Sequence, residues 1–223
     1  CNEPAQSEGM QELKAQYDFA VKDTAAITKI IIRDKQPSEV ILQRGPSGWY
    51  VGNGHSVRHD AMEVLLETVS EVMLKNFVAK SAVEAVNQRM NVYGKWVEIY
   101  KGEELVKSYI VGTETPDMLG TYFKMVGSDL PFSVYIQGFN GYLTTRFFTE
   151  ESMWRNRTIY GVKEQNIARL EMKVPGAEGF SWSIEKDATD SLWSLKGSDS
   201  QIVPANAQNL QATVASIRTL KYE

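Results

Sequence analysis

The chain has 223 residues, 43% apolar and 23% charged, a size at which folding removes roughly 70% of the unfolded surface from water. A net charge of −4 argues against an open nucleic-acid surface, which needs a basic stripe. No apolar run approaches the roughly 18–20 residues of a membrane-spanning helix.

The only cysteine, Cys1, opens the sequence with no Met before it. It reads as the lipidated residue of a bacterial lipoprotein, left after removal of a signal peptide. The alternative is a chain simply cut at that residue. The stretch that follows is polar and acidic and lacks apolar periodicity, so residues 1–16 read as a flexible tether. Two or more acyl chains hold a protein on a membrane stably, whereas one is marginal. With no second cysteine, the folded part must rely on its core.

Residues 17–85 read as a β-β-β-α unit. Ile27-Thr28-Lys29-Ile30-Ile31-Ile32 is β-branched and predicts a strand, broken at Gln36-Pro37-Ser38. Val40 and Leu42 share one face of the next strand. Gly45-Pro46-Ser47-Gly48 is a turn, and Trp49-Tyr50-Val51 a third strand closed by Gly52-Asn53-Gly54. A helix follows, with Asp60 and Glu63 as a capping box and an apolar stripe at Met62, Leu65, Leu66, Val69, Val72, Met73 and Phe77. It is expected to cover one face of the meander.

Residues 86–158 read as a middle antiparallel β segment. Trp96–Tyr100 and Leu105–Val111 make one hairpin, and Thr121–Val126 and Phe132–Ile136 a second. A short helix is predicted between Tyr142 and Phe148.

Residues 159–223 repeat the first unit. Leu170, Met172 and Val174 alternate with charged residues, then Phe180, Trp182 and Ile184 alternate, and Leu192-Trp193-Ser194-Leu195 is the third strand. A helix is expected near Pro204, with Ala207, Leu210, Val214, Ile217 and Leu220 as its stripe. Trp49 and Trp193 lie 144 residues apart, Ile30 and Leu170 140, and Val69 and Val214 145. Equal order with small drift at turns argues for an internal duplication. The expected fold class is α+β: two β-β-β-α repeats flanking a middle antiparallel β segment, sharing sheets as one unit and meeting in a groove.

The strand pair ending in Gly48-Trp49-Tyr50-Val51 and its helix carry a family resemblance. So do Tyr109-Ile110-Val111-Gly112, Phe132-Ser133-Val134-Tyr135-Ile136, and Met153-Trp154-Arg155-Asn156-Arg157 before Tyr160-Gly161-Val162. Over residues 17–220 the pattern resembles the domain of unknown function (DUF) family 4340 of bacterial lipoproteins and exported proteins. The resemblance implies a cell-envelope location, facing the periplasm or cell surface, and a role accessory to a transport system. It supplies no catalytic residues.

No constellation for chemistry stands out. His55 and His59 are the only histidines, there is no HExxH pattern, and zinc needs three or four ligands. No Gly-x-Ser-x-Gly element is present. Asp187, Asp190 and Glu185 lack EF-hand spacing and read as a solvated turn. Glu103-Glu104 and Glu150-Glu151 are adjacent pairs at turns, which read as surface charge. Trp154, Arg155 and Arg157 are the candidate binding surface, since arginine beside an aromatic is enriched at recognition sites. Against this, Trp154 can plug the junction into the second repeat while the arginines pair Glu150 or Glu151.

The reading is a lipid-anchored, non-enzymatic binding or assembly module of the bacterial envelope. It is anchored at Cys1, needs no cofactor or metal, and contacts an envelope protein or transporter. Two alternatives stay open: a glycan hydrolase with two carboxylates about 5–9.5 Å apart in one cleft, and a carbohydrate-binding module with exposed coplanar tryptophans.

Overall fold

The computed structural model describes residues 11, 13–36, 38–158, 162–187 and 192–217. The chain is α+β with antiparallel sheets, and divides into two compact units at Asn156/Arg157.

The first unit is built on nine strands: β1 (Lys29–Arg33), β2 (Glu39–Gly45), β3 (Gly48–Val51), β4 (His55–Ser56), β5 (Met73–Phe77), β6 (Lys95–Lys101), β7 (Glu104–Glu114), β8 (Thr121–Met125) and β9 (Phe132–Tyr135). Their order is β4-β3-β2-β1-β6-β7-β8-β9-β5. The first meander and the middle hairpins therefore share one sheet, because β6 pairs antiparallel with β1. Register sets Ile30 against Leu42 and Ile99, and Leu42 against Val51. Period-two alternation then turns one apolar row inward, from Val51 through Ile30 and Tyr109 to Phe123 and Phe132. Helix α1 (His59–Glu71) lays Met62, Leu65 and Val69 onto that face. Each such side chain contributes about 1.5–3 kcal/mol by leaving water.

Four details differ from expectation. Helix α1 begins at His59 after Arg58, so Asp60 lies inside the first turn. There it accepts from the Arg58 guanidinium (2.7 Å) rather than capping. The helix ends at Glu71, because Val72 turns extended, and Met73–Phe77 is the edge strand β5 against β9. The Met73 to Phe77 spacing fits a helix, but Phe77 instead packs its ring against Phe132 at 5.7 Å and Tyr17 at 5.9 Å. Helix α2 (Lys80–Tyr93), unforeseen, covers the opposite face, where Val86 and Met90 meet Ile110, Trp96 and Tyr122. The expected helix between Tyr142 and Phe148 is a single 3-10 turn, Thr144–Arg146.

The second unit holds β10 (Arg169–Met172), β11 (Trp182–Lys186), β12 (Trp193–Lys196), β13 (Ile202–Val203) and, later in the chain, a helix at Ala207–Ile217. Its strands form a separate sheet in the order β10-β11-β12-β13. The helix packs Leu210 and Val214 on Ile184, flanked by Leu170, Trp182, Trp193 and Leu195. It is capped by Asn206, whose side chain accepts from the Gln208 and Asn209 amides, so the start falls beyond Pro204. Tyr160, Gly161, Asp190 and Leu220, which figured in the sequence reading, lie outside the described residues.

Each unit's meander has four strands, one more than expected, because His55–Ser56 and Ile202–Val203 are each only two residues long. A 3-10 turn, Thr24–Ala26 or Glu164–Asn166, precedes the first strand in both. Among the described residues no helix is long and apolar enough to cross a membrane.

Candidate functional site

Of the sequence-predicted surface, Trp154 lies in the core, while Arg155 and Arg157 are partly exposed. Trp154 ends the four-residue helix α3 (Glu151–Trp154) and is wholly buried. Its indole N–H donates to Phe148 O (3.0 Å), and its ring meets Phe148 edge to face. Arg155 donates to Glu151 Oε1 through Nε (2.8 Å) and Nη2 (2.5 Å). The Arg58 amide donates to Trp154 O, the Asn156 amide to Ser56 O, and Val57 bridges Arg155. The segment is a structural latch on β4, and Trp154 cannot touch a partner. Arg157 also has interactions of its own.

A cleft of about 470 Å³ lies beside this latch, lined by Glu39, Gln43, Tyr50, Asn53 and Glu151. It brings two carboxylates to one concavity, the arrangement a glycosidase needs. Glu39 already pairs with Arg33, and Glu151 with Arg155. Glu103 and Glu104 are exposed at the β6–β7 turn. His59 Nε2 lies 3.1 Å from Glu63, both exposed, and His55 stands in β4. Among the described residues no three His, Cys, Asp or Glu are grouped to hold a metal ion. Glu185 is engaged by Lys196 and Arg169, and the Lys196 hydrogen bond chiefly holds its carboxyl below the usual range.

The second unit carries two adjoining clefts. A cleft of about 430 Å³ lies among Arg169, Glu171, Lys173, Glu178, Ser183 and Trp182. A second, of about 380 Å³, lies among Phe180, Trp182, Ile184, Val203 and Leu210. Trp182 lines both, so one concave end of the sheet has a charged half and an apolar half. The meander dictates this: alternation sends Trp182 and Ile184 toward the helix, and Ser183 and Glu185 away from it. Phe180 in the second cleft is 78% exposed, and elsewhere in the unit Ile202 is 71% and Leu192 61% exposed. Alternation had placed Phe180 in a strand with Trp182 and Ile184. It sits instead in the 3-10 turn Glu178–Phe180, and the adjacent Gly179 is the one signal for that. Of the other tryptophans, Trp49, Trp96 and Trp193 are half-buried.

No family model, no curated protein and no solved structure matches the chain.

Proposed function

We propose that the chain is an exported, non-enzymatic binding or assembly module of the bacterial cell envelope, lipid-anchored through Cys1 and accessory to a transport system. The observation that carries the reading is the second unit's exposure of Phe180 and Val203 in the apolar cleft beside Trp182. An open apolar cleft beside a charged one is what a protein partner covers. The lone cysteine, the polar acidic stretch after it and the resemblance to DUF family 4340 support the envelope location and the accessory role.

The test is a photo-cross-linking residue placed at Phe180 or Val203 in intact cells. One common protein product from both positions, absent when the probe sits at exposed Glu103, supports the reading. Equal products from all three overturn it. Mass spectrometry of Cys1 from membranes checks the anchor, and an unmodified Cys1 in a detergent-free soluble fraction removes it.

Glycan binding is a second reading, favoured by Trp182 sharing its polar cleft with Arg169, Glu171 and Ser183. It predicts a Trp fluorescence change with cell-wall glycan fragments that Trp182→Phe abolishes.

A further inference from the structure

A sheet edge offers a row of unpaired N–H and C=O groups, and most natural edges are blunted. Among the described residues, three of the four edges are. Strands β4 and β13 have two residues each, and β5 carries a bulge between Leu74 and Asn76. The fourth edge, β10, is regular: Arg169, Leu170, Glu171 and Met172 pair in unbroken register with Glu185, Ile184, Ser183 and Trp182. In the first unit, the strand that opens the meander has β6 on its other side. Among the described residues, β10 has no strand on that side.

The edge is self-complementary. The Lys186 amide donates to Ala168 O (2.9 Å). By alternation, the backbone groups of Leu170 and Met172 then face β11, and those of Arg169 and Glu171 face outward. The side chains of Arg169 and Glu171 are 53% and 40% exposed, on the face away from the helix, whereas Leu170 packs toward it. A twofold axis at Leu170, with antiparallel strands, places each Arg169 opposite the other copy's Glu171. Leu170 then meets Leu170. Arg169 already contacts Glu185 at 3.1 Å and Glu171 of its own strand at 3.2 Å, and a guanidinium has donors to share with the other copy's carboxylate as well. A shift of one residue would set Leu170 against Glu171 and turn each sheet's faces the wrong way.

We infer that two copies of this chain pair through β10, joining their four-stranded sheets into one continuous antiparallel sheet. This deepens the assembly role proposed above by naming a second copy as an occupant. A four-residue edge covers far less than the ~1,600 Å² of a stable complex, so the dimer is weak in dilute solution and is read by trapping.

The experiment uses full-length chains carrying Cys1→Ser, one with Ala168→Cys and one with Met172→Cys. Both positions are exposed, so neither substitution touches the core. The proposed register sets Ala168 opposite Met172 of the other copy, in a non-hydrogen-bonded pair whose Cα atoms lie about 4.5 Å apart, within disulfide reach. On oxidation the mixture is expected to give about tenfold more covalent dimer than either chain alone. Adding Glu171→Arg to both chains is expected to abolish that excess, since both edges then carry only positive charge. A mixture that cross-links no better than its components, or an excess that survives Glu171→Arg, overturns the inference. Neither result moves the Phe180 cross-link, which judges the partner surface separately.

Discussion

The guanidinium of Arg44 lies 4.8 Å from the centre of the Trp49 ring, directly across the β2–β3 register. Lys186 lies 5.7 Å from Trp193 across β11–β12, in the corresponding place of the second meander. The two differ in what else the cation does. Arg44 also donates to Ile27 O and Thr24 O, both at 2.8 Å, tying β2 to the turn before β1.

Removing the cation should therefore cost the two units unequally. A cation–π contact at an exposed site contributes about 0.5–1 kcal/mol, and each Arg44 hydrogen bond adds roughly 1 kcal/mol. Arg44→Met is expected to destabilise the first unit by about 2 kcal/mol, and Lys186→Met the second by about 0.5 kcal/mol. Arg44→Lys should recover little, because a lysine lacks the fork. Urea unfolding followed by Trp fluorescence measures this. Equal losses from the two Met variants would show the backbone ties to be inert.

Gly52 closes β3 at φ +55°, where a Cβ would strike the Glu151 carboxylate. An alanine there costs roughly 1–2 kcal/mol for the left-handed backbone alone, and it also displaces Glu151 from Arg155. Gly52→Ala and Glu151→Ala should then be less than additive, because the second removes what the first collides with. Thermal melts of the two single variants and the double variant give the coupling. Strict additivity would mean the carboxylate moves aside freely.

The first three strands of each meander and those of the middle hairpins were legible because β-branched alternation and Gly/Pro turns are local signals. Ile30, Leu42, Val51, Val97 and Phe132 all fall on the buried face that the pattern implies. Helix α2 was not legible: it buries only Val86 and Met90, so its apolar stripe is thin. Strand β5 was misread because Met73 and Phe77 also fit a helical spacing. Only long-range pairing with β9 distinguishes the two. At the site, arginine beside tryptophan suggested a surface, yet Trp154 is core and Arg155 is spent on Glu151. The Trp182 clefts escaped notice because turns supply half of their walls, and a turn's position in space is not a local property.

Asp117 pins the β7–β8 loop. Its carboxylate accepts from Lys75 Nζ (2.6 Å), Thr115 Oγ1 (2.5 Å) and the Leu119 amide (3.1 Å). These bonds, the lysine's first, hold its carboxyl well below the usual range. With the folded value depressed, the unfolded chain binds the proton first. The stabilisation is complete above the unfolded value of about 3.9 and drains away as pH falls below it. The stability gap between wild type and Asp117→Asn should be constant near neutrality and shrink below about pH 4. Denaturant titrations at a series of pH values measure it, and a gap that widens in acid would refute the assignment.

Tyr109 makes the opposite kind of prediction. Its ring is wholly buried, stacked on Phe123 at 5.2 Å and edge-on to Phe19 at 5.9 Å. Its hydroxyl is buried without a hydrogen-bond partner among the described residues. An unpaired buried hydroxyl costs about 1–3 kcal/mol, whereas its removal leaves the ring contacts in place. Tyr109→Phe should therefore stabilise the first unit, by about 1 kcal/mol. Burial also pushes the phenol's pKa above its ordinary value, so the unfolded chain loses that proton first as the solution turns alkaline. Stability then falls as pH rises past about 10, and the Phe variant lacks this component of the loss. Melting temperatures at neutral and alkaline pH test both halves. A destabilised Phe variant would mean that the hydroxyl has a partner after all, and the buried ring would then be a polar anchor rather than pure packing.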